Sequence, residues 1–386
     1  MEKKQPKLLL VFYGAKGFGP PWNEGLKNTL YSWMKQLIAQ GVKVYAVSDI
    51  SFDEPGWEIC YLPKEGKSFR AKIGYLTRLC LLSRKLITDE NISLMVFSIF
   101  DYSILLPLIL LGKTGCPKIL APADRKFIEL VEIRGTEICR APYWLKKFIF
   151  SGFKRVICLS YDLRNELQKQ KLTDADKIYF LPPRPLDSEL LVPDPLPVQG
   201  NDLIISHLGS FAPERGIEVV LQAVHLLRNP HIKIHLAWEG TGDGKNIDTL
   251  IKKLELGKQV SIWGIVDRQE FLADSQVYIF PMLKRSHVLD YPLSVIEAML
   301  MQQVVVASDF PNYRELIKPG VTGYLYPPGD YRALSNILDM IYLDREKARE
   351  IGCRARRFVL DLYGEFNPQK VTEIFLTTEG TERTRK

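Results

Sequence analysis

The sequence of 386 residues predicts an α/β fold of two Rossmann-like, doubly wound domains facing a central cleft. Three observations carry this expectation. Short strands rich in Val, Ile and Leu alternate with amphipathic helical stretches, the pattern of parallel sheets covered by helices on both faces. The length exceeds what one hydrophobic core normally organises, so two domains are expected. A proline-dense stretch from Leu181 to Gly200 separates two series of strand and helix, and such composition makes a stiff connector.

In the first series, Leu8–Tyr13 is a continuous apolar run, as a strand buried on both faces requires. A loop with Gly14, Gly17, Gly19 and Gly25 follows, then a helix over Glu24–Gln40 with Leu26, Leu30, Trp33 and Leu37 on one stripe. Further strands are expected at Val42–Val47, Leu94–Phe100, Lys118–Ala121, Val156–Leu159 and Ile178–Leu181. The second series places strands at Leu203–Leu208, Lys233–Trp238, Val260–Trp263, Val277–Phe280 and Val304–Ala307. The domain expectation is therefore 1–190, a linker at 191–200, a second domain at 201–345, and a disordered tail at 377–386.

Composition is that of a globular protein, with 46% hydrophobic and 25% charged residues. The longest apolar run, Ile104–Leu111, falls far short of a membrane span and contains a proline. The first residues enter a strand and not the apolar core of a signal peptide, so a cytoplasmic location is the expectation. Six scattered cysteines without a C-x-x-C pair read as buried thiols, not a disulfide frame or zinc site. Charge is uneven. Residues 1–200 hold 29 Lys and Arg against 21 Asp and Glu, a net +8, and the remainder is −1. Lys67–Lys85 and Arg140–Arg155 combine that excess with aromatic and aliphatic residues. Such stretches fit a peripheral anionic membrane surface, or else two core-facing helices with solvated edges. No nucleic-acid module accompanies the basic half, so nucleic acid is not an expected partner.

The densest signal is Asp290–Ser308, DYPLSVIEAMLMQQVVVAS. Leu293, Ile296, Leu300 and Met301 recur at helical spacing just before a strand, and Glu297 falls on that apolar face. A carboxylate there needs hydroxyl or amide donors, which a ribose can supply.

This passage resembles the signature of retaining glycosyltransferases of family 4, the group 1 enzymes of GT-B architecture. Upstream, His207–Ala223, Trp238–Gly244 and Val260–Val266 follow in the family's order, and Pro311–Asp330 resembles its closing segment. The match is strong over 200–345 and loose over 1–190. It implies a retaining transfer of a sugar from a nucleotide-diphosphate donor to a hydroxyl of a glycan, glycolipid or lipid-linked sugar. It also implies that a final helix, 346–376, returns to the first domain. By this resemblance Glu297 holds the ribose hydroxyls. Arg215 meets the diphosphate beside Gly209 and Ser210 and the backbone N–H groups of Ser294 or Val295, with Lys284 or Arg285 to compensate for the cation that Ser210 lacks.

Gly240, Gly242 and Glu315 stand on the donor side, and Gly14, Gly17, Gly19 and Gly25 form the acceptor-side loop. The family carries Arg where Ser210 stands, and a carboxylate where Leu289 stands. Asp290 either takes over the sugar contact or caps a helix. The first domain has no histidine, leaving Ser98, Asp101 and Asp124 as polar groups at strand ends. No metal or cofactor is expected, because cationic side chains and helix N-termini can neutralise the leaving group. The alternative is a GT-B subunit that binds nucleotide sugars but has lost catalysis.

Overall fold

The structure is a computed structural model that describes residues 5–13, 18, 25–66, 68–99, 102–122, 131–133, 136–138, 142–185, 191, 201–242, 244–285 and 289–376. The chain divides into two compact units. One comprises residues 1–186 with 365–386, the other residues 187–364.

The first unit runs β1 (Lys7–Tyr13), α1 (Gly25–Ala39), β2 (Lys43–Ser48), β3 (Trp57–Tyr61), α2 (Phe69–Asp89), β4 (Leu94–Ile99), α3 (Leu105–Leu111) and β5 (Lys118–Leu120). It continues through β6 (Val131–Ile133), β7 (Thr136–Ile138), α4 (Tyr143–Ser151), β8 (Arg155–Cys158), α5 (Tyr161–Lys169) and β9 (Ile178–Phe180). Seven strands form a sheet in the order β3-β2-β1-β4-β5-β8-β9, paired in parallel throughout. β6 and β7 make a separate antiparallel pair. The chain steps from β1 to β2 and β3 on one side and then crosses to β4 on the other. Right-handed crossovers therefore put α1 on one face and α2 to α5 on the opposite face. One apolar cluster gathers Leu79 of α2, Leu108 and Leu111 of α3, Ile149 and Phe150 of α4, and Leu163 of α5.

The second unit runs β10 (Leu203–Phe211), α6 (Ile217–Leu227), β11 (Ile232–Gly242), α7 (Gly244–Lys253), β12 (Val260–Trp263), α8 (Arg268–Ala273) and β13 (Val277–Phe280). It ends with α9 (Leu293–Leu300), β14 (Val304–Ser308), α10 (Tyr313–Leu316), β15 (Gly323–Tyr326), α11 (Tyr331–Leu343) and α12 (Arg345–Glu365). Its parallel sheet has the order β12-β11-β10-β13-β14-β15. Chain direction across the sheet reverses between β10 and β13. In open α/β sheets, the ground beyond the carboxyl ends of strands at such a reversal is where ligands bind.

The last helical stretch is divided where the sequence expectation has one returning helix from 346. α12 stays with the second unit. Ala348 and Ile351 enter that unit's apolar cluster, and a Cβ on Gly352 would lie 1.9 Å from Gln302 O. The return falls to α13 (Pro368–Leu376). Arg155 Nη1 donates to Ile374 O at 2.6 Å, and Phe375 meets Trp33 edge-on at 6.2 Å.

Among the described residues no helix is long and apolar enough to cross a membrane. Cys60, Cys80, Cys116, Cys158 and Cys353 form no disulfide among the described residues. The expected linker residues 192–200 and the tail 377–386 lie outside the described residues.

Candidate functional site at the strand reversal of the second unit

β10 and β13 pair in parallel through Ile205 with Val277 and Ser206 with Tyr278, and they bring His207 and Ser210 of β10 near Tyr278 of β13. From β10, His207 is fully buried. Its Nδ1 lies 3.0 Å from Ile279 O, while Nε2 has no hydrogen-bond partner among the described residues. Burial lowers the imidazole pKa to about 4, and the nearby Arg215 charge adds to the effect, so His207 is neutral at pH 7.

The chain then turns through Pro213–Arg215 into α6. Gly216, at φ +68°, makes this turn feasible, since a Cβ there would lie 1.9 Å from Pro281 O. The glycine thus serves the close approach of two loops, which Leu283 N seals by donating to Glu214 O at 2.8 Å. Arg215 is held in this turn, with Nη1 3.8 Å from Met282 Sδ. Ser210 is buried at the end of β10, and Lys284 is exposed in the loop after β13.

Tyr278 of β13 connects the parts. Its hydroxyl donates to Leu208 O at 3.4 Å and pairs with Ser294, and burial pushes its pKa up to about 12. The charges of both Glu297 and Arg215 act on it. Two expected donor residues thereby share a neighbourhood. Glu297 sits on α9, only 4% exposed, with Oε1 accepting from Arg268 Nη1 at 2.8 Å. Burial pushes the Glu297 carboxyl above its ordinary range, and Arg268 opposes that shift. The sequence expectation named no protein partner for this carboxylate. The reason is distance along the chain: Arg268 lies 29 residues away on α8, and no spacing rule links the two. A buried carboxylate's need for a cation is the only signal that could have prompted the search.

Asp290 is 8% exposed, and its backbone oxygen accepts from Asn312 Nδ2 at 2.6 Å. The charges of Asp290, Arg215 and Arg285 all act on Tyr313, which is buried against Phe280 and Phe310. These groups therefore converge beyond β10, β13 and β14. Glu315 is engaged by the Tyr291 hydroxyl. The Val295 N–H donates to Pro292 O at 3.1 Å, so the first turn of α9 already uses the donor that the sequence expectation aimed at a diphosphate. Gly240 and Gly242 lie at the end of β11. Gly242 (φ +91°) abuts the Phe211 backbone, where a Cβ would come within 2.3 Å, and this accounts for the glycine without a ligand.

Of the acceptor-side residues, Gly25 opens α1. Gly14, Gly17, Gly19, Asp101 and Asp124 lie outside the described residues. No group of three metal-ligating side chains occurs among the described residues.

Residues 192–358 match the family described as Glycosyl transferases group 1. Two relatives are similar over this half: a putative glycosyltransferase, EpsD, of Bacillus subtilis (22% identical over 177 residues) and N-acetyl-alpha-D-glucosaminyl L-malate synthase of Bacillus anthracis (27% over 185 residues). The matches span 45% and 47% of this chain, and 45% and 46% of those relatives. Among solved structures, a glycosyltransferase from Rickettsia africae has a TM-score of 0.77 at 17% identity, covering 97% of this chain and all of that one. The Anabaena protein HepE in complex with UDP-glucose has a TM-score of 0.69 at 16% identity, covering 95% of this chain and 98% of its own. The likeness over nearly the whole chain is to the GT-B fold.

Proposed function

From a second unit that matches the group 1 glycosyl transferases, we propose that this chain moves a sugar from a nucleotide-diphosphate donor to a hydroxyl acceptor, keeping the anomeric configuration. The observation that carries the reading is the meeting of Arg215 and the buried Glu297 around Tyr278, at the strand reversal of a doubly wound sheet. HepE, of similar fold, was solved with UDP-glucose, which supports a nucleotide-sugar donor here.

In this reading Glu297, held in place by its ion pair with Arg268, accepts hydrogen bonds from ribose hydroxyls. Arg215 stabilises the diphosphate as negative charge grows on it. The bond between the anomeric carbon and the phosphate oxygen breaks, and the acceptor oxygen bonds that carbon from the same face. The acceptor proton passes to the departing diphosphate oxygen, so no side-chain base is needed. Asp290 faces the same ground and is the candidate for contact with the sugar. The cation is supplied by Arg215, so turnover is expected to persist in EDTA. The free thiols suit a reducing, cytoplasmic site of action. A glycan, glycolipid or lipid-linked sugar is the acceptor class.

The test is release of nucleoside diphosphate from a panel of nucleotide sugars, with and without alcohol acceptors, and proton NMR of the product anomer. Arg215→Ala is expected to lower turnover more than donor affinity. Tight donor binding with no turnover under any acceptor would overturn the enzymatic reading in favour of a nucleotide-sugar-binding subunit. An inverted product would overturn the stereochemical one.

A further inference from the structure

We propose that the outer face of α2, α3 and α4 in the first unit is a docking surface for an anionic lipid bilayer. The three helices cover the same side of the seven-stranded sheet and adjoin one another. Arg84 of α2 donates to Leu110 O of α3. Gly152, just after α4, lies so close to α3 that a Cβ there would meet Leu108 Cδ2 at 3.3 Å. Their inward sides are accounted for by the core, which takes Tyr75, Leu76 and Leu79 from α2, Leu108 and Leu111 from α3, and Ile149 and Phe150 from α4. Core packing does not explain what stands on the opposite side.

There the helices present large apolar side chains to solvent. Leu81 is 61% exposed, Ile109 60%, Trp144 68% and Phe148 48%. On α4 the spacing of Trp144, Lys147, Phe148 and Ser151 puts all four on one stripe opposite Ile149 and Phe150. On α2 the outward stripe carries Arg70, Ile73, Leu81, Arg84 and Lys85. Across all three helices the only acid is Asp89, at the far end of α2, against seven Lys and Arg.

An exposed tryptophan costs free energy in water, and surface aromatics flanked by cations without acids match the chemistry of an anionic headgroup layer. Indole and phenyl rings settle at the headgroup level, while guanidinium and ammonium groups meet phosphate. The scarcity of acids on these helices, where Asp89 stands alone at one end, is what favours lipid over a protein partner. A protein surface of mixed charge would leave like charges facing each other, whereas a phosphatidylglycerol layer presents one sign only.

The test is co-sedimentation of the full chain with large unilamellar vesicles of phosphatidylcholine alone and of phosphatidylcholine with one-third phosphatidylglycerol. Binding is expected only to the anionic vesicles at low ionic strength, with loss of most of it at roughly 0.5 M salt, where screening acts within about a 4 Å range. The double change Trp144→Ser with Phe148→Ser should weaken binding about tenfold. Lys147→Glu should weaken it by a comparable factor. These side chains are exposed, so circular dichroism and nucleotide-sugar turnover in solution are expected to be unchanged. Those readouts keep failure of this proposal distinct from failure of the glycosyl-transfer reading. Absence of sedimentation with the anionic vesicles would overturn the proposal, and so would equal binding by the serine variant. A concentration-dependent dimer that disappears in that variant would overturn it too, assigning the face to a second copy of the chain.

Discussion

Taking a carboxylate out of water costs several kcal/mol unless a cation and hydrogen bonds compensate. Glu297 and Arg268 therefore act as a pair: the arginine, partly solvated, reaches a carboxylate that is almost fully enclosed. Arg268→Gln is expected to destabilise the second unit by about 1–3 kcal/mol, read as a lower urea midpoint. Adding Glu297→Gln should restore part of that loss while abolishing the gain in stability on adding nucleoside diphosphate. A ligand-induced rise that survives in the double variant would remove the ribose role. His207 makes a separate prediction. Its folded pKa of about 4 lies below the ordinary 6.5, so the unfolded chain binds the extra proton. Stability should fall as pH drops from about 6.5 toward 4, by up to about 3 kcal/mol for this group. In His207→Phe that slope should shrink, whatever the variant's absolute stability. Neither effect was legible in the sequence, where His207 is one residue of a strand and Arg268 one residue after Asp267. Glu297 itself was legible, because a lone acid on an apolar helical face breaks its pattern.

At the scale of elements, long both-faces-buried strands read clearly. The expected Val277–Phe280 matches β13 and Leu8–Tyr13 falls within β1, both buried, and Val260–Trp263 matches β12 although that edge strand is largely exposed. β3 was not expected, since its residues Trp57–Tyr61 are half exposed at the sheet edge and break the apolar run that marks a buried strand. β15 escaped for a related reason: it opens on Gly323, whose φ of +158° carries the chain to within 2.4 Å of Val305 O for any added Cβ. The glycine there marks close approach to a neighbouring strand, which the sequence pattern alone does not reveal. The turn from β10 into α6 can be tested directly. Gly216→Ala must place a methyl against Pro281 O in a left-handed conformation. A loss of about 2 kcal/mol or more is expected, as a lower melting temperature together with a lower turnover, because Arg215 is the preceding residue. A normal melting temperature would show that the two loops separate easily.

For the whole molecule, two domains and two series of βα units followed from length and patterning. The place where the chain returns did not, because α12 and α13 carry similar helical periodicity and only packing tells them apart. α12 spends its small residues, Ala348 and Gly352, on the second unit, whereas α13 gives Phe375 and Ile374 to the first. Phe375 is 1% exposed, so Phe375→Ala is expected to cost about 3–4 kcal/mol. Calorimetry should show that loss in one transition, with the other, identified by its response to nucleoside diphosphate, left in place.

The same arrangement constrains biosynthesis. Residues 187–364 form one body spliced into the middle of the other. On the ribosome, the early-made portion must wait for its last helix until the inserted body has been translated. The later-encoded body should thus become protease-resistant first, reversing the usual order in which domains mature along a nascent chain.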